Sequence, residues 1–484
     1  MTNDVKRREK VLTGELFQIV LIICLPLALY QLFNSVHNLI DQIICASIST
    51  TAQNAVSSIG QIKLTISAFG AGLAAGGGVI VARYYGAGKI KDARKAASNL
   101  LFMSIILSGI ILAIFVPLAK VIMQIAQIAP ASIEIGINYF RLQMVELIFI
   151  TINSVYIGLL KAKGESNVVL YLNIASMLVK LGLTALFVYV IQLKDIMFVE
   201  LASIAAQTGI TVLGTVLMFK KSNLLQISLK MMKFEKKYVL PILKLSLPIF
   251  LGKFVMNLGK VIVNGICGGY WNTVTDGLIV GTLGVSNNIC GLITSPTNSF
   301  EEGGSSIVSQ NLGNGNIKRA MRSFYYSLLI SAFISIVGFV MLRFVFKEDI
   351  INLFTSSDSK SETYKQMVSE IFNFDSLSII ALGINAPVLG LLYGFGQTGL
   401  STILNLSRIG SRIIFLISVH SIAPSLSPTL CAGLSMAISN TIILILSFVF
   451  LLIFIVKIKK HGYKGLHFSD PEPKTIAEIE DVEE

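Results

Sequence analysis

Long apolar segments separated by short polar loops make up most of this sequence. An α-helix needs about 20 predominantly apolar residues to cross the hydrocarbon core of a bilayer. The pattern therefore predicts an all-α, polytopic membrane protein with twelve transmembrane helices. We place them at residues 17–44, 55–82, 97–119, 138–160, 168–193, 198–219, 241–266, 278–310, 321–346, 371–396, 400–420 and 428–457. The eighth segment is the least regular of the twelve, because Glu301 and Glu302 lie within it.

Basic residues are concentrated in alternate loops. Loops at residues 45–54, 120–137, 267–277 and 421–427 are nearly free of Lys and Arg. A second set of loops is basic: Lys6 to Lys10, Arg83 to Lys95, Lys161 and Lys163, Lys220 to Lys237, Lys318 to Arg322, and Lys457 to Lys464. The loop at residues 347–370 carries charges of both signs. Because cytoplasmic loops carry the excess of Lys and Arg, we expect the basic loops and both termini in the cytoplasm. The protein is then a multi-pass protein of the cytoplasmic membrane, and its basic start leads into an uncleaved first helix.

An internal repeat divides the chain. The segment at residues 79–91, VIVARYYGAGKIK, matches SIVSQNLGNGNIK at residues 306–318, and both follow a glycine cluster. An even number of helices in each copy gives both copies the same orientation. We therefore expect two pseudo-symmetric six-helix bundles, related by an axis along the membrane normal, with a central cavity between them.

The predicted organisation has five parts. A cytoplasmic segment, 1–16, precedes the N-lobe at 17–219, and a basic cytoplasmic linker at 220–240 leads to the C-lobe at 241–457. The last part, 458–484, is acidic after Lys464 and lacks apolar periodicity there, which predicts a disordered cytoplasmic tail.

Composition agrees with a membrane protein and argues against other classes. Of 484 residues, 54% are hydrophobic and only 14% are charged, with a mean hydropathy of +0.75. The net charge of +12 is spread over short loops, so we expect no nucleic-acid partner. The five cysteines have neither metal-site nor disulfide spacing, and no catalytic or phosphate-binding motif is present. We therefore expect neither an enzyme, nor a metal site, nor a cofactor.

Several short motifs resemble the multidrug and toxic compound extrusion (MATE) transporters, a family related to lipid-linked oligosaccharide flippases. The resemblance extends from about Leu16 to Lys457. It is carried by Leu25-Pro26 and Asp41 in the first span, Gly86-Ala87-Gly88, Gln310 to Asn316, Tyr393 to Thr398, and Arg408. The resemblance implies a monomeric antiporter that exports organic compounds in exchange for H⁺ or Na⁺ by rocking two lobes.

The first span contains the strongest candidates for ion coupling. Asn34, His37, Asn38 and Asp41 recur at helical spacing and share one face. A carboxylate with a histidine one turn away can bind and release a proton as a cavity opens to either side. The resemblance implies that Asp41 is the coupling carboxylate. A static polar stripe that packs helices together is the alternative.

The fifth and tenth spans supply further candidates. MATE proteins with a cation site in the N-lobe often place Asn and Asp four residues apart in the fifth span. This chain has Asn173 but Met177 in place of the acid, and Lys180 follows, where it could pair with Asp41 or Glu146. At the start of the tenth span, Asp375 occupies the position of a coupling carboxylate in some family members.

Several cations lie inside predicted spans, and those of most interest are Lys63, Lys180, Lys253, Lys260, Arg408 and Arg412. Ionisable groups at membrane depth are costly and usually face an internal cavity. We assign Asn34, Asn38, Lys180, Lys253, Lys260 and Arg408 to the substrate cavity. Such a cavity suits small organic substrates, anionic ones included. Alternatively, the cations neutralise Glu146, Glu301, Glu302 and Asp375 in structural pairs.

Function is predicted from these observations together. We expect a secondary transporter that extrudes small organic compounds across the cytoplasmic membrane in exchange for H⁺ or Na⁺. A flippase for an anionic or lipid-linked substrate is the principal alternative. A channel is disfavoured, because duplicated lobes around a cavity suit alternating access.

Overall fold

The computed structural model describes residues 3–48, 50–126, 128, 130–193, 195–275, 277–355 and 362–461. Side chains are described for the same residues except 37–43, 45–55, 57, 130–132, 354–355 and 461. Within these ranges the chain is helical and contains no strand. The predicted tail lies almost wholly outside the described residues. The helices are α1 Asn3–Thr13, α2 Leu16–Ile48, α3 Thr50–Gly86, α4 Ile90–Phe115, α5 Ala119–Ile125, α6 Pro130–Ala162, α7 Ser166–Ala185, α8 Ile196–Phe219, α9 Lys236–Trp271, α10 Ile279–Thr297, α11 Ser299–Gly313, α12 Ile317–Val340, α13 Lys347–Thr355, α14 Glu362–Asp375, α15 Leu377–Gly394, α16 Thr398–Ile422 and α17 Pro428–His461.

Eleven helices of the described chain are long and apolar enough to cross a membrane. The predicted eighth pass is not among them, because it is divided into α10 and α11 at Asn298, just after Pro296. Proline lacks the backbone N–H that continues a helix, so a break near it is expected. The predicted tenth pass is likewise divided, since α14 ends at Asp375 and α15 begins at Leu377. The tenth pass is already counted among the eleven through α15, so the divided eighth pass completes the twelve-helix architecture.

The repeated sequence forms a repeated turn. Gly88 after α3 has a φ of 73°, and Gly315 after α11 has a φ of 72°. This left-handed conformation is accessible to glycine without steric cost. In each turn the next N–H bonds back to a carbonyl five residues earlier, Lys89 N to Tyr84 O at 3.0 Å and Asn316 N to Asn311 O at 2.9 Å. The same glycine-dependent helix ending is therefore used in both halves of the chain.

Helices α2–α8, here the first half, and α9–α17, the second half, contact each other closely where α3 and α11 end. A Cβ atom built on Gly313 would lie 2.0 Å from the Arg83 carbonyl oxygen, and one built on Gly86 would lie 2.1 Å from the Gln310 carbonyl oxygen. The Arg83 guanidinium also donates to the Gly394 carbonyl at 2.6 Å. We call this end, which carries the basic turns after α3 and α11, the closed end.

Helix α1 reinforces the closed end. Arg8 is buried and donates to the carbonyl oxygens of Tyr85 at 2.8 Å and Gly86 at 2.6 Å. The Asp4 carboxylate pairs with Lys163 at 2.8 Å. From the second half, Arg319 reaches the Val11 carbonyl at 3.2 Å. The segment predicted only as a polar N-terminus is thus a helix that connects both halves.

Farther from the closed end, α3 and α9 form an aromatic seam. Phe69 and Phe250 stack with ring centroids 4.1 Å apart, and Asn257 donates to the Leu64 carbonyl at 2.9 Å. On the other side of the molecule, α2 packs against α10 and α11, with Cys24 close to Gly303. Between these two seams the halves enclose polar cavities.

We expect one added methyl group at the crossing of α3 and α11 to destabilise the closed end. Gly313→Ala should weaken the closed end, because the new Cβ would overlap the Arg83 carbonyl, and overpacking of this kind costs about 1–3 kcal/mol. Hydrogen–deuterium exchange of the purified protein should then show roughly tenfold faster exchange in the turns at 83–91 and 311–318.

Gly109→Ala is the matched control, since a Cβ on Gly109 would meet no heavy atom within 4 Å. This variant should exchange as the wild type does. Unchanged protection of both turns in Gly313→Ala would contradict the tight crossing.

Candidate functional site

Two polar cavities lie within the membrane-spanning part of the molecule. One, of about 300 Å³, is formed by the first half and is here called the first-half cavity. The other, of about 510 Å³, is formed mainly by the second half and is called the second-half cavity. Both are built from helices whose inward faces carry charged groups. Ionisable residues at membrane depth indicate function by default, so each cavity is a candidate site.

The first-half cavity contains a network of two lysines and two glutamates from four helices. Lys63 on α3 contacts the Glu146 carboxylate on α6, and its ammonium lies 3.5 Å from Oε1 of Glu200 on α8. Lys180 on α7 lies close enough to interact electrostatically with both carboxylates. Glu146 and Glu200 are only 4% and 2% exposed. Among the described side chains, two lysines thus face two carboxylates, and both acids are screened from bulk water.

The two carboxyl groups of this network also lie within hydrogen-bond reach of each other. Two carboxylates this close repel unless a proton lies between them or a cation compensates them. Lys63 provides such a cation, while Oε1 of Glu200 is buried without a hydrogen bond. The arrangement can therefore take up one proton with little movement.

The residues predicted for ion coupling (His37, Asp41, Asn173 and Asp375) and three of those predicted for the substrate cavity (Asn34, Asn38 and Lys180) separate into three groups. Asn34, Asn173 and Lys180 line the first-half cavity together, where the Asn173 amide bonds to the Val169 carbonyl of its own helix at 2.7 Å. Asp375 instead lines the second-half cavity. The side chains of His37, Asn38 and Asp41 lie outside the described residues, so their roles stay predictions.

The second-half cavity brings together the remaining predicted cations. Lys253 and Lys260 line it from α9, and Arg408 and Arg412 line it from α16. Lys253 pairs with Glu301 of α11 at 3.2 Å. The four cations therefore share the cavity with only two carboxylates, those of Glu301 and Asp375.

Asp375 is held in place by a neutral donor. The Ser286 hydroxyl donates to its Oδ2 at 3.0 Å, and Asp375 is only 3% exposed. No described residue forms an ion pair with it within 4 Å. It remains close enough to Lys260, Arg408 and Arg412 to attract all three.

Other intramembrane acids have partners that keep the closed end together. Glu302 pairs with Lys161 of the first half at 2.5 Å. Both residues line a smaller cavity of about 150 Å³, which shares Lys253, Glu301 and Tyr393 with the second-half cavity. Pairing of cations with acids, the alternative raised by the sequence, thus accounts for Lys63 and Lys253.

Sequence reasoning missed two residues of these sites. Glu200 was not selected because it lies near the start of the predicted sixth span, at the edge of the apolar segment. Arg412 was recognised as an intramembrane cation but was not assigned to the cavity, although its spacing of four residues from Arg408 places both on one face of α16. In the described part of the chain, no three His, Cys, Asp or Glu side chains come together as metal ligands.

Comparison with known proteins agrees with this architecture. The chain is similar to the probable multidrug resistance protein YoeA of Bacillus subtilis (strain 168), with 22% identity over 339 residues, which is 68% of this chain and 71% of YoeA.

Solved structures show the same fold at 19% identity. One is a MOP superfamily transporter from Pyrococcus furiosus, described as having a binding pocket of reverse polarity (TM-score 0.86, 95% of this chain and 99% of that one). Another is the outward-facing conformation of a multidrug resistance MATE family transporter, with the same TM-score and coverage. A third is a MATE protein in complex with MaL6 (TM-score 0.84, 95% of this chain and 100% of that one).

The MatE family model matches the chain twice, at residues 26–186 and 248–417, once in each half. These matches cover more than half of the sequence and follow the internal repeat. The chain therefore belongs to the MatE family, and it is a membrane transporter of the multidrug and toxic compound extrusion type, not an enzyme.

Proposed function

We propose that this chain is a secondary active exporter of the cytoplasmic membrane, which moves small organic compounds outwards in exchange for protons. The observation that carries the proposal is the separation of two charged cavities between two similar halves. One cavity can hold a proton on a pair of buried acids, and the other is large enough for a drug-sized molecule. The printed name of YoeA, a probable multidrug resistance protein, supports the same direction of transport.

Alternating access follows from the duplicated architecture. The halves contact each other tightly at the closed end, through the α3–α11 crossing and helix α1. Rocking of one half against the other would separate these contacts and open the cavities to the opposite side. The contacts include hydrogen bonds to carbonyl oxygens and ion pairs such as Lys161–Glu302, which can be exchanged for contacts with water, beside apolar side chains of both halves that pack together.

The basic loops indicate which side of the membrane the closed end faces. Arg83, Lys89, Lys318 and Arg319 all lie at or beside the closed end. By the positive-inside rule that end faces the cytoplasm. The conformation described here would then be open towards the outside, as in the second of the similar structures.

Protons are favoured over sodium ions by the chemistry of the first-half cavity. Sodium prefers several oxygen ligands without a competing cation, whereas the Lys63 ammonium already occupies the position between Glu146 and Glu200. The position at which related proteins carry an acid is Met177 here, which lines the cavity with a thioether. A proton needs only a carboxyl oxygen, and Glu200 offers one without a hydrogen bond.

Glu200→Gln should uncouple transport. In inside-out vesicles with an imposed pH gradient, uptake of a fluoroquinolone or dye should fall to the level of vesicles lacking the protein, because glutamine cannot carry a proton. Counterflow, the exchange of labelled for unlabelled substrate without a gradient, should persist in this variant. Asp41→Asn, measured alongside it, tests the carboxylate predicted from the sequence.

Glu362→Gln is the control for charge removal, because the Glu362 side chain is 93% exposed on α14. It should transport as the wild type does. Uptake driven by a sodium gradient, or full proton-driven uptake in Glu200→Gln, would contradict this coupling site.

Both termini should be cytoplasmic. A green fluorescent protein fused after residue 484 should fluoresce, and alkaline phosphatase fused at the same point should be inactive, because each reporter functions on one side of the membrane only. The reverse result would invert the topology given by the basic loops. Fusion into the loop at residues 423–427, between α16 and α17, should give the opposite pair of signals.

A further inference from the structure

We propose that the second-half cavity binds an organic anion, whose carboxylate, sulfonate or phosphate group lies among Lys260, Arg408 and Arg412. This inference names the substrate class of the exporter and so rests on the proposed function. It goes beyond multidrug export in predicting which compounds the protein accepts. It is supported by the cavity, by its excess of positive charge and by the hydrogen bonds of its arginines.

Close packing of α9 against α16 brings the three cations together. A Cβ built on Gly259 would lie 2.3 Å from a methyl carbon of Ile409, so the two helices approach closely at this point. Lys260 follows Gly259, while Arg408 precedes Ile409 and Arg412 lies one turn farther along α16. All three side chains line the same cavity.

The charges of this cluster do not balance. Lys253 is neutralised by Glu301 at 3.2 Å, which leaves Lys260, Arg408 and Arg412 facing Asp375. Among described side chains, no carboxylate lies within 4 Å of any of these three cations. An excess of two positive charges inside a membrane protein is costly unless water or an anion compensates it. In the first-half cavity, by contrast, two lysines accompany two glutamates.

The arginines are fixed in position by neutral acceptors. Arg408 Nε donates to Asn440 Oδ1 at 2.8 Å, and Arg412 donates from Nε and Nη2 to the Ser439 hydroxyl at 3.1 and 3.0 Å. These bonds use only part of each guanidinium, which carries five N–H donors. The remaining donors of Arg408 and Arg412 can bind an anionic group, and guanidinium groups suit planar carboxylates and phosphates.

The rest of the cavity indicates an amphiphilic ligand. Apolar side chains of Met256, Leu382, Leu389 and Ile409 form one part of the wall, and the cavity volume of about 510 Å³ is in the range of drug-sized ligands. Asparagine side chains add neutral hydrogen-bonding groups, those of Asn287, Asn288, Asn385 and Asn405. An aromatic or aliphatic body bearing one or two negative charges fits this combination better than a cation or an inorganic ion.

The test compares two xanthene dyes of similar size and opposite charge. Carboxyfluorescein, an anion, and rhodamine 123, a cation, are titrated against the full-length protein in phosphatidylcholine nanodiscs, without any ion gradient. Carboxyfluorescein should bind and rhodamine 123 should not. Lys260→Gln should weaken carboxyfluorescein binding by roughly 10- to 100-fold, because a charged hydrogen bond is lost, and Lys260→Arg should restore it.

Two further variants distinguish a local effect of charge on binding from a general loss of folded protein. Asp375→Asn should tighten anion binding by about threefold or more, because it removes the negative charge that faces the three cations and repels an anionic ligand. Lys365→Gln, at a half-buried lysine of α14 that pairs with Glu362 at 3.6 Å and lines neither cavity, should leave binding unchanged. Size-exclusion profiles and thermal unfolding verify that each variant is folded. If Asp375→Asn does not fold, the comparison of Lys260→Gln with Lys260→Arg remains the test of the anion site.

Preferential binding of rhodamine 123, or carboxyfluorescein affinity unchanged in folded Lys260→Gln, would overturn the anion site. Binding is measured at equilibrium without an ion gradient, so its outcome does not depend on whether the protein exports the compound. Anion binding without gradient-driven transport would refute export alone. Gradient-driven transport of rhodamine 123 with no anion binding would refute this inference alone.

The same negative group could belong to a soluble compound or to a lipid. Nanodiscs that contain phosphatidylglycerol distinguish the two sources. A soluble anion predicts similar dye affinity in both lipid compositions. A lipid-borne anion predicts that phosphatidylglycerol displaces the dye and co-purifies with the wild type but not with Lys260→Gln. Either result retains the anion site and assigns its source.

Discussion

Compensation of charge inside the membrane is the constraint on which this structure depends. A Lys, Arg or Glu side chain in a bilayer needs a partner of opposite charge, a polar cavity or water. Among the described side chains, the first half meets this need with a network of two lysines and two glutamates, in which Lys63 contacts Glu146 and approaches Glu200. The second half meets it only in part, with one ion pair between Lys253 and Glu301. The imbalance gives the two halves different chemistry despite their common origin in a repeat.

That difference suits the proton-coupled exchange that we propose. Two neighbouring carboxyl groups titrate as a unit, and a proton on one of them removes the repulsion between the two. An unbalanced cluster, in contrast, gains most from binding a molecule that supplies the missing charge. In the proposed exchange, proton binding and substrate binding are separated between the halves, and movement of one half against the other would link them. The halves contact each other at the closed end, where Arg83 donates to the Gly394 carbonyl and Lys161 pairs with Glu302.

The closed end also shows why glycine recurs in both copies of the repeat. Gly86 and Gly313 allow the backbones of α3 and α11 to touch, and Gly88 and Gly315 end the helices in the left-handed conformation. Backbone contact of this kind forms a seal without large side chains. The seal combines this backbone contact with hydrogen bonds to carbonyl oxygens and with buried apolar side chains of both halves, such as Ile23 and Phe300.

The sequence by itself determined the helices, their number, the repeat and the cations within the membrane. Hydropathy, loop charge and the turn at Gly88 are local properties, and a local pattern is sufficient to predict them. The division of the eighth pass at Asn298 was not predicted, because a proline inside an apolar segment can either bend or end a helix. Only the tertiary structure decided which charges are compensated. Lys63 and Glu146 are 83 residues apart, and Lys253 and Glu301 are 48 apart, so no periodicity relates them. Pairing depends on which helices pack together and at what height, and those distances exist only after folding.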